Sequence, residues 1–591
     1  MSFNLIGRAC RLAAIGAILL CSASCVDINE RLGESFIPTD QLWDVYVDSA
    51  PLENIMLKCA DSLSAYSSRR ITFGAINDGI GTTTKASTFT LVPATPDIDL
   101  GTNQKIRQFH FSIARDTLST MEDSEQKMLQ NVYVYSLRKQ LDSTVLYTDS
   151  FNPGVRNNAE QTEDNRDLFI NFERYITAGI PVYGGGDSLT FDFSREYAEE
   201  VIRGIEKFQS EMSDLQRDTI SNYLKYVPGI HIECDTPVGN GGRINMFELA
   251  LKVNSSGYVS GNFAELKITS DYGERKQVDT SFIFFFGPYT FVEENSSKIP
   301  TQYAFNTSCH SSEEEYSKGV PAGAEIIIEG GAGVKPVIKA SDIKAKLHEM
   351  ITGSDIVNPE EVVINKATIS LPYNVGKSFD KLDKYPLILS PTVRLQSNSA
   401  NKYISYAGLT DSSIETENQG DINRSLSRYA PDISHHVQEI LKLEKKEGES
   451  DLDFEKRLEN YDIWMLIMHE EVTETSSSGG GYNDYYNNLL YNSYYNNMMY
   501  DPYGYGYGYG GYGGYGYGGY GYGYGSNYYN YMMMAAYANS ASNSTSESLS
   551  IDLDKDRYYN AVLNGPAAVG EEDEKPLLLV TFSAPKTAET E

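Results

Sequence analysis

The stretch that most limits what this chain can fold into is DPYGYGYGYGGYGGYGYGGYGYGYGSNYYNY, Asp501 to Tyr531, where glycine and tyrosine alternate with almost no charge. Glycine at every second or third position makes ordering entropically costly, while tyrosine brings aromatic faces and hydroxyls but no aliphatic core. Folded structure must therefore lie on either side of it. Before it stands YDIWMLIMHEEV, from Tyr461. After it come ESLSIDLD, from Glu547, and KPLLLVTFSAP, from Lys575. All three are strand-like runs bounded by turn residues. Pairing the first with one of the later two makes residues 476–545 a single long loop, expected to be disordered by itself, inserted between strands of a C-terminal domain. Surface loops accept long insertions at small thermodynamic cost, so the run reads either as a sticky tyrosine surface for a partner or as a tolerated expansion without a task.

The N-terminus carries an address. Arg8 and Arg11 precede the apolar stretch Leu12 to Leu20, which is too short to span a bilayer and reads as a secretory signal. Ser22, Ala23 and Ser24 then lead to Cys25, and the arrangement resembles a bacterial lipobox, in which the cysteine becomes the lipid-modified first residue of the mature protein. Lipoboxes favour leucine where this chain has Ser22. Asp27 and Glu30 resemble the acidic signal that sends lipoproteins of the Bacteroidota to the outer face of the outer membrane. These features predict a signal peptide over 1–24, an acidic tether over 25–40 and a lipid as the only anchor, since no later segment has a membrane-spanning apolar run.

The remaining composition narrows the function. Across 591 residues the net charge is -32, which repels phosphate backbones and excludes nucleic acid as an expected partner. With Cys10 and Cys21 in the signal and Cys25 lipidated, Cys59, Cys234 and Cys309 remain. They allow one disulfide at most, and no CxxC spacing points to zinc or redox work.

Short alternating runs separated by turns dominate the mature chain. RRITFGAIN and TTTKASTFTLV flank Asn77-Asp78-Gly79, a hairpin signal in which Asp78 serves the turn rather than a metal. Two helices are expected from periodicity. One has Tyr197, Val201, Ile205, Phe208 and Met212 on a single face; the other follows a Ser213/Gln216 capping box and ends at Pro228 and Gly229. A third is expected around SDIKAKLHEMI. The expectation is a mainly β, α+β protein of sandwich-like antiparallel domains. Its predicted units are an N-terminal β-rich domain (41–190), a helical pair with a sheet (191–345), and a C-terminal β-rich domain (346–591) carrying the insertion.

Several phrases are similar to a family of Bacteroidota lipoproteins, domain of unknown function 4270: Leu32-Gly33 in the tether, FGAIND at Phe73 to Asp78 with GTTTKA behind it, NYLKYVPGIHIECD, and VVINKATISLP. The chain departs from that pattern at Gly79 and Ile80, where proline and an aromatic are expected. The resemblance implies a β-rich fold, an outer-membrane location and a link to outer-membrane assembly machinery, and it carries over no catalytic residues.

Candidate chemistry is sparse. His435 and Glu439 share a helical face beside His436, but the His-Glu-x-x-His of a metalloprotease is absent, and a solvated helix is the expectation. Cys309-His310 lacks an identifiable third member of a triad and reads as a loop. The glycine clusters YGGGD (from Tyr183) and GNGGR (from Gly239) lack the strand-loop-helix context of a phosphate site and read as turns. Triplets such as Asp48-Ser49-Ala50, Asp116-Thr117-Leu118 and Asp187-Ser188-Leu189 resemble the O-glycosylation sequon of this phylum. The sequence thus predicts a lipid-anchored, surface-facing binding or assembly protein with no catalytic residues, metal or cofactor, partnered by the outer membrane through its lipid and by outer-membrane proteins. A glycan-binding or adhesion lipoprotein and a surface hydrolase are the alternatives.

Overall fold

The computed structural model describes residues 43–475 and 546–585, apart from 61–62, 68, 94–97, 117–127, 141–147, 150–169, 218–219, 250, 254–258, 287–303, 355, 357–360, 379–381, 383, 397–403, 410 and 412–419. Cys25, Asp27, Glu30, the tether and the glycine-tyrosine run lie outside the described residues. Within them the protein is mainly β with a few helices, and the sheets are antiparallel.

The hairpin read around Asp78 is present: Arg70–Asn77 pairs with Thr82–Phe89. Asn77 Oδ1 accepts from Gly79 N at 3.1 Å and Asp78 Oδ1 from Ile80 N at 3.0 Å, while Gly79 takes φ +94°. These are the self-bonding and left-handed geometries that asparagine, aspartate and glycine supply in turns. Gly74 in the same phrase has a different reason: at φ +135° an added Cβ would meet Arg243 O at 2.2 Å, so the strands close up only over glycine.

Two sheets sandwich a first core. One runs Gly241–Glu248, Arg70–Asn77, Thr82–Phe89, Ile230–Cys234, Gln130–Ser136, with Ala304–His310 also paired to Thr82–Phe89. The other runs Ser188–Asp192, Thr102–Ala114, Phe263–Tyr272, Arg275–Phe285. Phe89 of the first meets Phe111 of the second at a centroid distance of 6.1 Å and Phe286, just past its strand Arg275–Phe285, at 5.5 Å. The helix Arg195–Glu211 buries Tyr197, Val201, Ile205 and Phe208, the face its periodicity marks, and Ser194 caps it by accepting from Tyr197 N at 3.2 Å. The Ser213/Gln216 contact also forms, with Ser213 N and Oγ donating to Gln216 Oε1 at 3.0 and 2.9 Å. It opens two single turns, Asp214–Arg217 and Ile220–Tyr223, where a second helix was expected. The sequence from Asp214 to Asn222 carries Asp214, Asp218, Thr219, Ser221 and Asn222, residue types whose side chains compete with the helical backbone bonds.

The second core is built from both ends of the chain. Trp43–Pro51 pairs along its whole length with Leu577–Pro585, from Trp43↔Pro585 to Pro51↔Leu577, and Leu577–Pro585 pairs in turn with Val363–Pro372. Facing it, Ile55–Cys59, Val334–Ile338, Ile463–Thr475 and Ile388–Gln396 form a second sheet, with the helices Ala340–Gly353 and Ser434–Lys442 packed into the same core. The boundaries expected from sequence do not follow these cores. The cut at 190/191 divides the strand Ser188–Asp192, the cut at 345/346 divides the helix Ala340–Gly353, and residues 43–59 belong with the C-terminal core. The first core is thus inserted into the second, a relation set by pairings between the two chain ends that local periodicity does not report.

The strand Ile463–Thr475 pairs antiparallel with Ser546–Leu553, and its last rung is Thr475↔Ser546. The run before the glycine-tyrosine segment therefore does pair with the first run after it, while KPLLLVTFSAP joins the other sheet.

Candidate functional site

A group of buried polar side chains lies where the two cores meet. The tip of the Asp78 hairpin leaves the first core: Ile80 packs against the second, and Asp78 Oδ2 accepts from Tyr558 Oη at 3.1 Å and Asn560 Nδ2 at 3.0 Å. The strand Ala304–His310 brings buried His310 beside Glu329, with Nε2 3.2 Å from Glu329 Oε2. Glu329 is 1% exposed and its Oε2 also accepts from Val334 N at 2.9 Å. Burial opposes charge on Glu329, yet the His310 imidazole, the Asp78 carboxyl and the Val334 amide together bring its pKa down to about 2. Burial and the neighbouring Glu329 push Asp78 the other way, above the usual carboxylate range.

Two lysines complete the junction. Lys335 Nζ donates to the carbonyls of Gly331 at 3.1 Å and Gly333 at 3.0 Å and to that of Glu329, and burial lowers its pKa to about 8. Lys85, from the first core, donates to Lys555 O at 2.5 Å and Asp556 O at 2.9 Å, and burial lowers its pKa as well. In return Lys555 reaches back to Ser64 O at 2.5 Å and to Tyr66 O. Asn306 joins both sides, accepting from Thr72 N and Ser87 Oγ and donating to Arg70 O and Asp556 Oδ1. Desolvated polar groups are costly unless bonded, so this network fixes the two cores in one relation. Its charges are engaged in holding backbone carbonyls and amides.

The sequence candidates fall as follows. Cys309 and His310 lie in a strand, not the expected loop, because Cys309↔Thr84 and His310↔Thr83 continue the ladder. His435 Nδ1 stands 3.7 Å from Glu439 Oε1 on a helix, as its spacing implies. That helix is not simply solvated: His436 is buried, its Nε2 lies 2.9 Å from Tyr461 O, and burial lowers its pKa. Asp411 caps the same helix by accepting from the amides of His435 at 2.7 Å and His436 at 3.1 Å. YGGGD is a turn, with Gly185 at φ +81°, whereas in GNGGR only Gly239, at φ +89°, and Asn240 turn, and Gly241 to Arg243 already belong to the strand Gly241–Glu248. Cys59, Cys234 and Cys309 form no disulfide among the described residues, and burial raises Cys59 to about 12. Among the described residues no three His, Cys, Asp or Glu side chains are grouped to hold a metal ion, and no helix is long and apolar enough to cross a membrane.

Sequence reasoning missed Lys85, Glu329, Lys335 and Asp556. A signal existed in EGGAGVK, Glu329 to Lys335, where three glycines let the backbone fold closely around a lysine: an added Cβ on Gly330 would meet Arg557 O at 2.3 Å. Compared with protein-family models, with curated proteins and with solved structures, the chain matches none.

Proposed function

We propose that this chain is a lipid-anchored outer-membrane protein, facing the cell exterior, that works by binding and assembly, as an accessory of outer-membrane protein assembly. The observation that carries the reading is the way the glycine-tyrosine segment is mounted. It leaves and re-enters the fold at one rung, Thr475↔Ser546, on a two-stranded ribbon whose root is buried in the second core through Ile463, Met465 and Ile467. A segment rich in tyrosine and mounted on a firm root suits partner binding, because tyrosine contributes contact area with little side-chain entropy loss. The lipobox-like Ser22 to Cys25 and the acidic Asp27 and Glu30 support the address, and the likeness to domain of unknown function 4270, which rests on the quoted phrases alone, supports the link to assembly.

Cell fractionation with surface proteolysis tests this. Wild-type protein is expected in the membrane pellet and degraded by protease added to intact cells, whereas Cys25→Ala shifts it to the soluble fraction, since two acyl chains are what hold such a protein to a bilayer. Pelleting of Cys25→Ala after a high-salt wash would sink the lipid-anchor reading, and protection of the wild type would sink the outward orientation.

A further inference from the structure

One sheet of the second core ends in an open edge. Trp43–Pro51 pairs on one side with Leu577–Pro585, and among the described residues no strand pairs with its other side. The register fixes which backbone groups face outward. Pro51 stands opposite Leu577, and Leu52 N donates to Pro576 O at 3.0 Å, so the even-numbered residues from Asp44 to Ala50 turn their N–H and C=O groups toward Leu577–Pro585. Those of Trp43, Val45, Val47 and Ser49 turn to the open side, where Ser49 N donates to Asp48 Oδ1 at 2.7 Å instead of to a strand. The side chains alternate as well. Tyr46 stacks on Phe582 with centroids 5.3 Å apart and Ala50 is buried in the second core, so Asp44 and Asp48 lie on the core side, exposed where the sheet ends. Trp43, Val45 and Val47 lie on the outer side at 46, 63 and 80% exposure. Soluble proteins commonly blunt such an edge with lysine, proline or a bulge; from Trp43 to Ser49 there is none of these, and the register runs unbroken. Its unpaired backbone groups form a template for an added strand.

The charges decide which strand fits. A second copy of the chain is disfavoured: the antiparallel register that overlaps Trp43 to Ser49 in full sets Asp44 opposite Asp48 at both ends, and each chain carries a net charge of -32. Those two carboxylates instead favour basic side chains on the core side of an incoming strand. On the outer side Val47 and Ser49 line a shallow cleft of about 520 Å³ with Lys366, Thr368, Leu579 and Thr581. A basic side chain there would meet Lys366, whereas an apolar one meets Val47 and Leu579. The strand that fits therefore alternates apolar residues outward with basic residues beside Asp44 and Asp48.

We propose that the open edge of Trp43–Pro51 takes an antiparallel, extended segment of a partner protein in which apolar and basic residues alternate. The assignment does not depend on how the chain is anchored. The test is calorimetry and fluorescence anisotropy on the full chain in mild detergent, with a synthetic decapeptide of alternating lysine and valine as the probe. The peptide is expected to bind. Methylating its valine amides, which face the edge in this pairing, should weaken it about tenfold or more, the scale of one or two main-chain hydrogen bonds, whereas methylating its lysine amides should not. Val47→Pro removes an edge-facing N–H at a position where an edge strand tolerates proline, and should weaken binding to the same degree. Asp44→Lys combined with Asp48→Lys leaves the backbone intact, and should reverse the preference toward a peptide of alternating glutamate and valine. Absence of binding, equal binding of a peptide of the same composition with its lysines grouped at one end, or binding unmoved by both variants would each overturn the proposal. So would a homodimer that Val47→Pro dissociates, which would give the edge to a second copy, or binding that emerges only once residues 26–40 are deleted, which would give it to the chain itself.

Discussion

Glu329→Ala is expected to lower the unfolding free energy by about 3–5 kcal/mol, the usual effect of removing one member of a buried charged group. The carboxylate is 1% exposed, faces His310 at 3.2 Å and accepts from Val334 N at 2.9 Å, while Lys335 lies buried beside it. The substitution removes the carboxylate that most favours the charged form of the buried Lys335 ammonium. Urea unfolding followed by tryptophan fluorescence reads this, because Trp464 is buried with Leu63, Val337 and Leu466 on a strand whose neighbouring residues Ile463 and Met465 enter the second core. Glu329→Gln keeps an acceptor for Val334 N and should cost less. The sign with pH follows from the depressed carboxyl. Its contribution is complete above about pH 4.5, the ordinary glutamate value, and is lost as the pH falls from there toward 2. Wild type should therefore shed stability in that window by an amount Glu329→Gln does not. A Glu329→Ala protein within about 1 kcal/mol of wild type would mean the junction is not what joins the cores.

Asp116→Ala should be comparably severe. Arg70 Nε lies 2.5 Å from Asp116 Oδ2, and both side chains are 6% exposed. Removing the carboxylate leaves a guanidinium that cannot shed its proton in a desolvated site, a loss of about 3–5 kcal/mol. The double variant Arg70→Met with Asp116→Leu should lie much closer to wild type, since a well-packed apolar pair avoids the desolvation penalty of both charges. Equal instability of the single and double variants would show that shape, not charge, is at stake there. The pair also bears on the triplet Asp116-Thr117-Leu118: its aspartate is committed to the interior, whereas Ser49 and Ser188 of the other two triplets are exposed.

What could be read from the sequence was local. Asn77-Asp78-Gly79 announced its turn because the residues that make a tight turn have few substitutes. Tyr197, Val201, Ile205 and Phe208 announced a helix because burying one face demands that spacing. The strand runs on either side of residues 476–545 found each other because the simplest loop closes between nearest neighbours. What could not be read was long-range. Nothing in WDVYVDSAP points to Leu577–Pro585, so the insertion of one core into the other was invisible and the domain boundaries fell elsewhere. The buried polar residues were hidden for a related reason. Lys85 in TTTKASTF looks like a solvent-facing strand residue until the carbonyls of Lys555 and Asp556, supplied by the far end of the chain, cover it. Arg243 is similar: it is 2% exposed because Asn245 Oδ1, Met128 O and Tyr183 O accept from its guanidinium. Periodicity marks a face as buried only when the face is apolar.

The glycine-tyrosine segment is the part of the proposed function most open to one decisive measurement. Residues 476–545 are replaced by a short Gly-Ser linker between Thr475 and Ser546, and the full-length variant is compared with wild type in thermal melting and in a mild-detergent pull-down read by mass spectrometry. Because the segment closes on a single rung, the melting temperature should move by no more than about 2 °C. The outer-membrane proteins captured by wild type should disappear from the variant's list. An unchanged set of captured proteins would refute the segment's role in binding, and a fall in melting temperature of ten degrees or more, about the scale of a lost core element, would mean that the run is packed structure and not an appendage.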